Sequence, residues 1–258
     1  MADSGKDYKF KISNYEVGCM LPKHGKINCR VCFDDAKEKV IKPAENWRMV
    51  NDPGAWGSQT PEYLVLGFSK GATQAGLYEK GKFEDVAFAN MRDRLTSALR
   101  AVGILPANEN VTSRISNPNS SIAFGSLVRC SVSRAETKNG ILGGYSCTGP
   151  IIGKSFKEIP EIIANCSEKY LRDLPKEIRV VVMLGNSDQY VKAVKQLLKA
   201  MFKDSFCEIN DMAVKADGKV WVHVAHPSGL NGHFNTWLTS NSGPGLKRHK
   251  AIAGIAEA

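Results

Sequence analysis

Four short apolar runs, each followed by glycine or small polar residues, set the strongest limit on the fold of this chain. They cover residues 63–67, 122–128, 178–184 and 220–225. Runs of this length and composition are typical of strands that are buried on both faces of a parallel sheet. The segments between them carry helical patterns, and this alternation favours parallel pairing through right-handed crossovers. The sequence therefore predicts an α/β protein with three layers, α/β/α, around a central four-stranded parallel sheet.

Apolar residues recur at spacings of three and four within residues 88–102, 156–170 and 190–201, which predicts one helix in each. Asn186, Ser187 and Asp188 supply capping side chains before the last of these helices. The remaining segments look irregular. We expect residues 1–60 to wrap the sheet, residues 135–154 to form an inserted loop, and residues 241–258 to form a flexible tail. Together they predict one domain over residues 1–258.

Composition narrows the class of protein further. The 258 residues are 43% hydrophobic and 24% charged, which is ordinary globular composition and excludes a chain that is disordered throughout. No apolar run approaches the roughly 18 residues that a membrane helix needs. The N-terminus has no apolar core of a signal peptide, so we expect a cytoplasmic protein, in the bacterial cytoplasm or nucleoid. The net charge of +9 is a weak indication of a polyanionic partner.

The loops after the four strands are the expected place for ligands, because open parallel sheets bind them beyond the carboxyl ends of the strands. These loops begin at Gly67, Arg129, Gly185 and His226. Their glycines and small polar residues let the backbone approach a ligand closely.

The sequence His226-Pro227-Ser228, with Leu230 two residues later, resembles the HPS-x-L motif of the uracil-DNA glycosylase superfamily. The resemblance covers residues 25–235 and is closest to the iron–sulfur, family 4-like branch. Residues 67–71 lie where that superfamily has its first motif, and 81–83 lie where the branch has Gly-x-Pro-Phe. Residues 126–130 look like its Asn-x-x-Lys-Cys strand, and 162–171 look like its helix with the last cysteine.

The resemblance implies a DNA repair enzyme that hydrolyses the base–sugar bond of uracil, or of a related deaminated base, flipped out of DNA. His226 would stabilise the negative charge that gathers on the departing base. Leu230 would fill the vacated stack and Phe83 would stack on the base. The implied catalytic residues are His226 and Ser69, and the implied substrate-binding residues are Gly67, Phe68, Phe83 and Ser126. The implied DNA-binding residues are Lys70, Gly71, Arg134, Ser228, Gly229 and Leu230.

Two positions depart from the family pattern. Phe68, Ser69 and Lys70 stand where the family has a carboxylate or amide that positions water, and Ser126 replaces the asparagine that reads uracil. Gln74, Glu84 and Asp85 are the candidates for positioning water. Two alternatives therefore stay open: a catalytically weak or inactive DNA-binding module of the same fold, and a hydrolase of free nucleosides or nucleotides.

Four cysteines complete the resemblance. In the reducing environment expected here, clustered thiols are better read as metal ligands than as disulfides. Cys29, Cys32, Cys130 and Cys166 match the ligand order of a structural [4Fe–4S] cluster. Zinc on four thiolates is the other metal interpretation, free thiols are the third, and Cys147 competes for the fourth position. The implied partner is uracil-containing DNA. We expect the protein to be a monomer that binds no membrane and needs no obligate protein partner.

Overall fold

The structure is a computed structural model that describes residues 20–138 and 141–258. Its strands are β1 (Gly25–Lys26), β2 (Val40–Ile41), β3 (Trp47–Val50), β4 (Gly54–Gly57), β5 (Tyr63–Gly67), β6 (Ile122–Ser126), β7 (Ser131–Lys138), β8 (Ile141–Ser146), β9 (Val180–Leu184), β10 (Cys207–Asn210), β11 (Ala213–Ala216) and β12 (Lys219–Val224). Its helices are α1 (Ala72–Glu79), α2 (Phe83–Val86), α3 (Arg92–Ala101), α4 (Thr112–Ile115), α5 (Pro150–Glu158), α6 (Pro160–Leu171), α7 (Asp188–Phe202), α8 (Phe234–Thr239) and α9 (Pro244–Ile255).

The prediction of a mixed α/β protein is confirmed, but the main sheet is larger than expected. It has eight strands in the order β1-β4-β6-β5-β9-β12-β11-β10. β5 pairs in parallel with β6 and β9, and β12 pairs in parallel with β9. The pairings of β4 with β6 and of β11 with β12 are antiparallel. The added strands are short and lie in segments without a long apolar run, which is why the sequence pattern did not predict them.

Alternation along β5 shows how the sheet is buried on both faces. Leu64 and Leu66 pack into one core cluster with residues of α5, α6 and α7. Val65 packs into the other cluster with residues of α3, α8 and α9. Helices cover both faces of the sheet. The parallel strands all end at the same edge, so the loops that follow them meet there.

Three segments expected to be irregular are regular. Residues 40–57 contribute β2, β3 and β4, and the second sheet has the order β2-β3-β7-β8. Residues 135–154 were expected to form a loop, but they hold the end of β7, all of β8 and the start of α5. The expected flexible tail is mostly α9, which packs on the core through the fully buried Ala251. The first 19 residues of the expected wrapping segment lie outside the described residues.

The helix predicted over residues 156–170 is two helices, α5 and α6. Pro160 begins α6, and proline both lacks an amide proton and restricts the residue before it, so the first helix ends at Glu158. Among the described residues, no helix has the length and apolar character needed to cross a membrane.

Candidate functional site

His226 follows β12 directly, in the loop at the carboxyl edge of the sheet. The backbone N–H of Ser228 donates to its Nδ1 at 3.1 Å. Because Nδ1 accepts this hydrogen bond, the proton of the neutral ring lies on Nε2. Burial lowers the pKa of His226 to about 4. At neutral pH this side chain is therefore an uncharged imidazole whose Nε2–H is a hydrogen-bond donor.

The His226 ring lines a small cavity, which we call the histidine cavity. Its lining residues come from β4, from the end of β5 with the turn and helix that follow it, from the segment before α3, from the end of β6 and from the loop after β12: Trp56, Gly67, Ser69, Lys70, Gln74, Ala87, Phe88, Met91, Gly125, Ser126 and His226. Five residues predicted for the site, at positions 67, 69, 70, 126 and 226, are thus brought together. The cavity measures about 20 Å³, which is room for about one water molecule.

Both serines in the cavity are tied to backbone. The Oγ of Ser69 accepts the N–H of Val132 at 3.1 Å. The Oγ of Ser126 donates to the carbonyl oxygen of Val128 at 2.8 Å. The Ser126 hydroxyl therefore donates its only hydrogen bond within the turn, and its oxygen can only accept a hydrogen bond from a group in the cavity.

Phe83 lies behind the cavity wall. Its ring stacks on Trp56, with centroids 4.8 Å apart and planes inclined by 13°. The indole Nε1–H of Trp56 also donates to the carbonyl oxygen of Phe83 at 3.2 Å. Trp56, which sequence reasoning missed, is thus the aromatic side chain that lines the cavity at the place predicted for Phe83.

Phe68 was predicted to bind substrate, but it packs in the core on the opposite side of its strand. It is 2% exposed and contacts the rings of Phe156 and Tyr190. Alternation explains this correction, because Gly67 and Phe68 lie on opposite faces at the end of β5.

Lys70 was predicted to be an exposed phosphate contact, and its burial corrects that prediction. Its side chain is 3% exposed, with Nζ 3.4 Å from Oδ1 of Asp52. Nζ also donates to the carbonyl oxygen of Arg129. Asp52 in turn accepts the N–H of Ser131 at 2.7 Å and its hydroxyl at 2.6 Å. Burial of an ammonium is tolerated here because a carboxylate and a carbonyl surround it.

Two other predicted phosphate contacts are already engaged. Arg134 lies on β7, where its Nε donates to Glu158 at 2.7 Å and its NH1 lies 3.0 Å from Glu136. The backbone N–H of Gly71 donates to Oε1 of Gln74 at 3.1 Å. Neither group is free to receive a phosphate without breaking an existing contact.

The loop after His226 presents an apolar side chain to solvent. Leu230 is 83% exposed, while its backbone N–H donates to Oγ of Ser228 at 3.2 Å. Asn231 closes the turn by donating from Nδ2 to the carbonyl oxygen of His226 at 2.9 Å. Gly229, between Ser228 and Leu230, is exposed. Since the N–H of Ser228 is used by His226, this amide holds the imidazole rather than a phosphate.

Of the three candidates for positioning water, only Gln74 lines the histidine cavity among the described residues. Its amide donates to the carbonyl oxygen of Val86 at 3.0 Å. Glu84 instead contacts His24 at 2.8 Å, and it accepts a hydrogen bond from Ser116. Asp85 is exposed on α2.

A second cavity lies on the other side of the turn that follows β6, and we call it the cysteine cavity. All four predicted ligands, Cys29, Cys32, Cys130 and Cys166, line it. It measures about 10 Å³, and no three His, Cys, Asp or Glu side chains in the described ranges are placed to hold one metal ion. Burial raises the pKa of Cys166 to about 12, so its thiol is protonated until a metal displaces the proton. Cys147 instead lines a separate pocket of about 310 Å³ that includes His226, Asn186, Ser228 and Leu230, which we call the mouth.

The cysteine cavity also holds a buried cation. Arg129 lines it and is 2% exposed. Its buried Nε has no hydrogen-bond partner, and no carboxylate within the described residues lies within ion-pair distance of its guanidinium. The guanidinium rests over the ring of Tyr170 at 5.1 Å. A buried cation without a counter-charge costs several kcal/mol.

The residues that sequence reasoning missed lie on elements without a periodic signal. Trp56 is on the four-residue strand β4, and Asp52 precedes that strand. Phe88 adopts a positive φ of 53° between α2 and α3, outside either helix. The unusual density of glycine around Trp56, in Gly54 and Gly57, is the one signal that pointed to a close approach there.

A scan against protein-family models gives no match for this chain, and neither does a search of curated proteins.

Proposed function

We propose that this chain is a monofunctional DNA glycosylase of the uracil-DNA glycosylase superfamily, with a single domain of that fold around a four-stranded parallel core. It would act as a monomer in the cytoplasm on DNA that contains uracil or a related deaminated base. The observation that carries the proposal is His226: a neutral imidazole, held by Ser228, that lines a cavity where the parallel strands end. Such a donor suits a reaction in which negative charge develops on a departing base.

In this mechanism the base leaves the duplex at a cost of a few kcal/mol. The exposed Leu230 lies on the loop of His226 and would occupy the vacated stack. The histidine cavity has to widen to admit a base, because it now holds about 20 Å³. Trp56 would form the aromatic wall against the base, supported from behind by Phe83.

Water attacks the sugar after the bond has largely broken, so positioning matters more than strong basicity. Gln74 is the side chain we assign to this role, because it lines the cavity and its Oε1 keeps a second lone pair beside the one used by Gly71. Ser69 and Ser126 would contribute acceptors and shape rather than protons.

We further propose that Cys29, Cys32, Cys130 and Cys166 hold a [4Fe–4S] cluster whose role is structural. When bound, the cluster would cross-link the N-terminal segment to β6 and α6. Arg129 supports this assignment, since its buried charge calls for an anionic occupant. Zinc on the same four thiolates has the same net charge and remains the alternative. Metal analysis and visible absorbance of protein purified without oxygen distinguish the two.

The small size of the histidine cavity favours a second candidate, a DNA-binding module that no longer turns over. An oligonucleotide with one uracil separates the two. Release of free uracil, with alkali-sensitive strands that disappear in His226→Ala, supports the enzyme. Tight binding without abasic sites supports the module. A hydrolase of free nucleosides is the third candidate. Hydrolysis of nucleosides at the same rate by wild type and by Leu230→Ala would favour it.

A further inference from the structure

A groove lies between α7 and α9. Its floor includes Met212 in the turn between β10 and β11, and it encloses about 770 Å³. Five lysines line it: Lys192, Lys195 and Lys199 from α7, and Lys247 and Lys250 from α9. We call it the lysine groove. Its size is that of a ligand site rather than of a packing defect.

Charge in the lysine groove is only partly neutralised. Lys195 lies 2.8 Å from Glu208, and Lys247 lies 2.7 Å from Asp188. Lys250 pairs with Asp211. Lys192 and Lys199 are exposed, and within the described part of the chain neither has an ion-pair partner. Two ammonium groups two helical turns apart on α7 therefore face a groove with no charge to balance them.

Apolar surface accompanies this charge. Leu246 is 52% exposed on α9, and Phe206 lines the groove after the end of α7. Cationic side chains beside apolar and aromatic ones form the kind of surface on which nucleic-acid strands bind, with phosphates on the cations and bases on the apolar groups.

One residue of the lysine groove contacts the mouth. Besides its ion pair, Nζ of Lys247 donates to the carbonyl oxygen of Asn186 at 2.8 Å. Asn186 lines the mouth together with His226, Ser228 and Leu230. The groove therefore begins within one hydrogen bond of the loop that borders His226.

We propose that the lysine groove binds the DNA strand that flanks the flipped nucleotide, through phosphate contacts to Lys192 and Lys199. This assignment rests on the proposed function for the position of the lesion, but the groove itself is testable by binding alone.

The test is the salt dependence of binding of labelled single-stranded oligonucleotides by wild type and by Lys192→Glu/Lys199→Glu. One oligonucleotide has uracil at its centre, and two others have one flank cut back to two nucleotides, on the 5′ or the 3′ side. Loss of two phosphate contacts should lower the salt slope by about 1.4 and weaken binding about tenfold. Cutting one flank, but not the other, should lower wild-type binding to the level of the variant.

Lys42→Glu/Lys176→Glu is the matched control, because both lysines are exposed and outside the groove. Equal salt slopes for wild type and the groove variant would overturn the proposal, as would an equal loss in the control. If the groove substitutions weaken binding to polyglutamate but leave binding to DNA unchanged, the ligand of the groove is an acidic peptide instead. Failure of wild type to release uracil would refute the enzyme while leaving the binding result interpretable.

Discussion

The histidine cavity and the cysteine cavity lie on either side of the same turn after β6, yet they are built in opposite ways. In the histidine cavity the imidazole accepts from Ser228, and Ser69 and Ser126 bond to backbone. The cysteine cavity keeps a cation without a carboxylate partner, Arg129, among four thiols. The first site has fixed side chains that leave Nε2–H of His226 as a preorganised donor. The second has a buried charge that an anionic group would stabilise.

Replacing His226 with alanine tests the first half of this contrast and should have the largest effect. Loss of a donor aimed at developing charge lowers the rate of uracil release by about 100- to 1000-fold. Single-turnover cleavage of a uracil oligonucleotide measures it. His233→Ala is the control, because that side chain is exposed. An unchanged rate in His226→Ala would remove the imidazole from the mechanism.

Arg129→Met tests the second half by its opposite effects on the two forms of the protein. Without metal, removal of a buried unpaired charge should raise the free energy of unfolding by on the order of 1–4 kcal/mol. With metal, the loss of the counter-charge should lower the metal content per chain severalfold. Denaturant unfolding and iron analysis measure these, and Arg129→Lys, which keeps the charge, should retain more metal. Equal metal content in the methionine variant would show that the cavity needs no cation.

Leu230→Ala addresses the mouth, which shares His226 with the histidine cavity. Loss of most of an exposed side chain that fills the stack should slow uracil release from duplex DNA by about tenfold. Release from single-stranded DNA, which has less stacking to replace, should change less. Ile252→Ala removes a comparable exposed apolar group from α9 and should leave both rates alone. A uniform loss on both substrates would argue against a wedge.

The pH profile gives the smallest predicted effect, and its flatness is the result to look for. Burial lowers the pKa of His226 to about 4, so the neutral ring persists from pH 8 down to about 5. Uracil release should stay constant over that range and fall only near pH 4. Unfolded histidine takes up a proton near pH 6.5, so this residue makes folding less favourable as pH falls from 6.5 towards 4. A midpoint near 6.5 in the rate profile would show an ordinary, solvated imidazole.

Much of the site followed from the sequence because it depends on strand ends. Apolar runs located β5, β6, β9 and β12, and the loops after them supplied Gly67, Ser69, Ser126 and His226 to one cavity. Side-chain direction was the part that could not be read. Lys70, in the turn after β5, is buried because of a tertiary partner, Asp52, that the sequence pattern does not place beside it.

The second sheet and the edge strands were missed for a different reason. β2 and β4 have two and four residues, too few to show alternation, and β4 is defined by pairing with β6, which is distant in sequence. The glycines of residues 135–154 suggested a loop, yet Gly143 and Gly144 lie within β8. Pairing with β7 provides the hydrogen bonds that stabilise this strand despite the low strand propensity of glycine.

The ammonium of Lys70 has a practical consequence for anyone handling this protein. It binds the carbonyl oxygen of Arg129 and the carboxylate of Asp52, which itself bonds to Ser131, so the residues on both sides of Cys130 are tied to the turn that carries Ser69. Loss of a metal from Cys130 during purification would therefore disturb the turn that lines the histidine cavity as well. In such a preparation, metal content and uracil release should decline together.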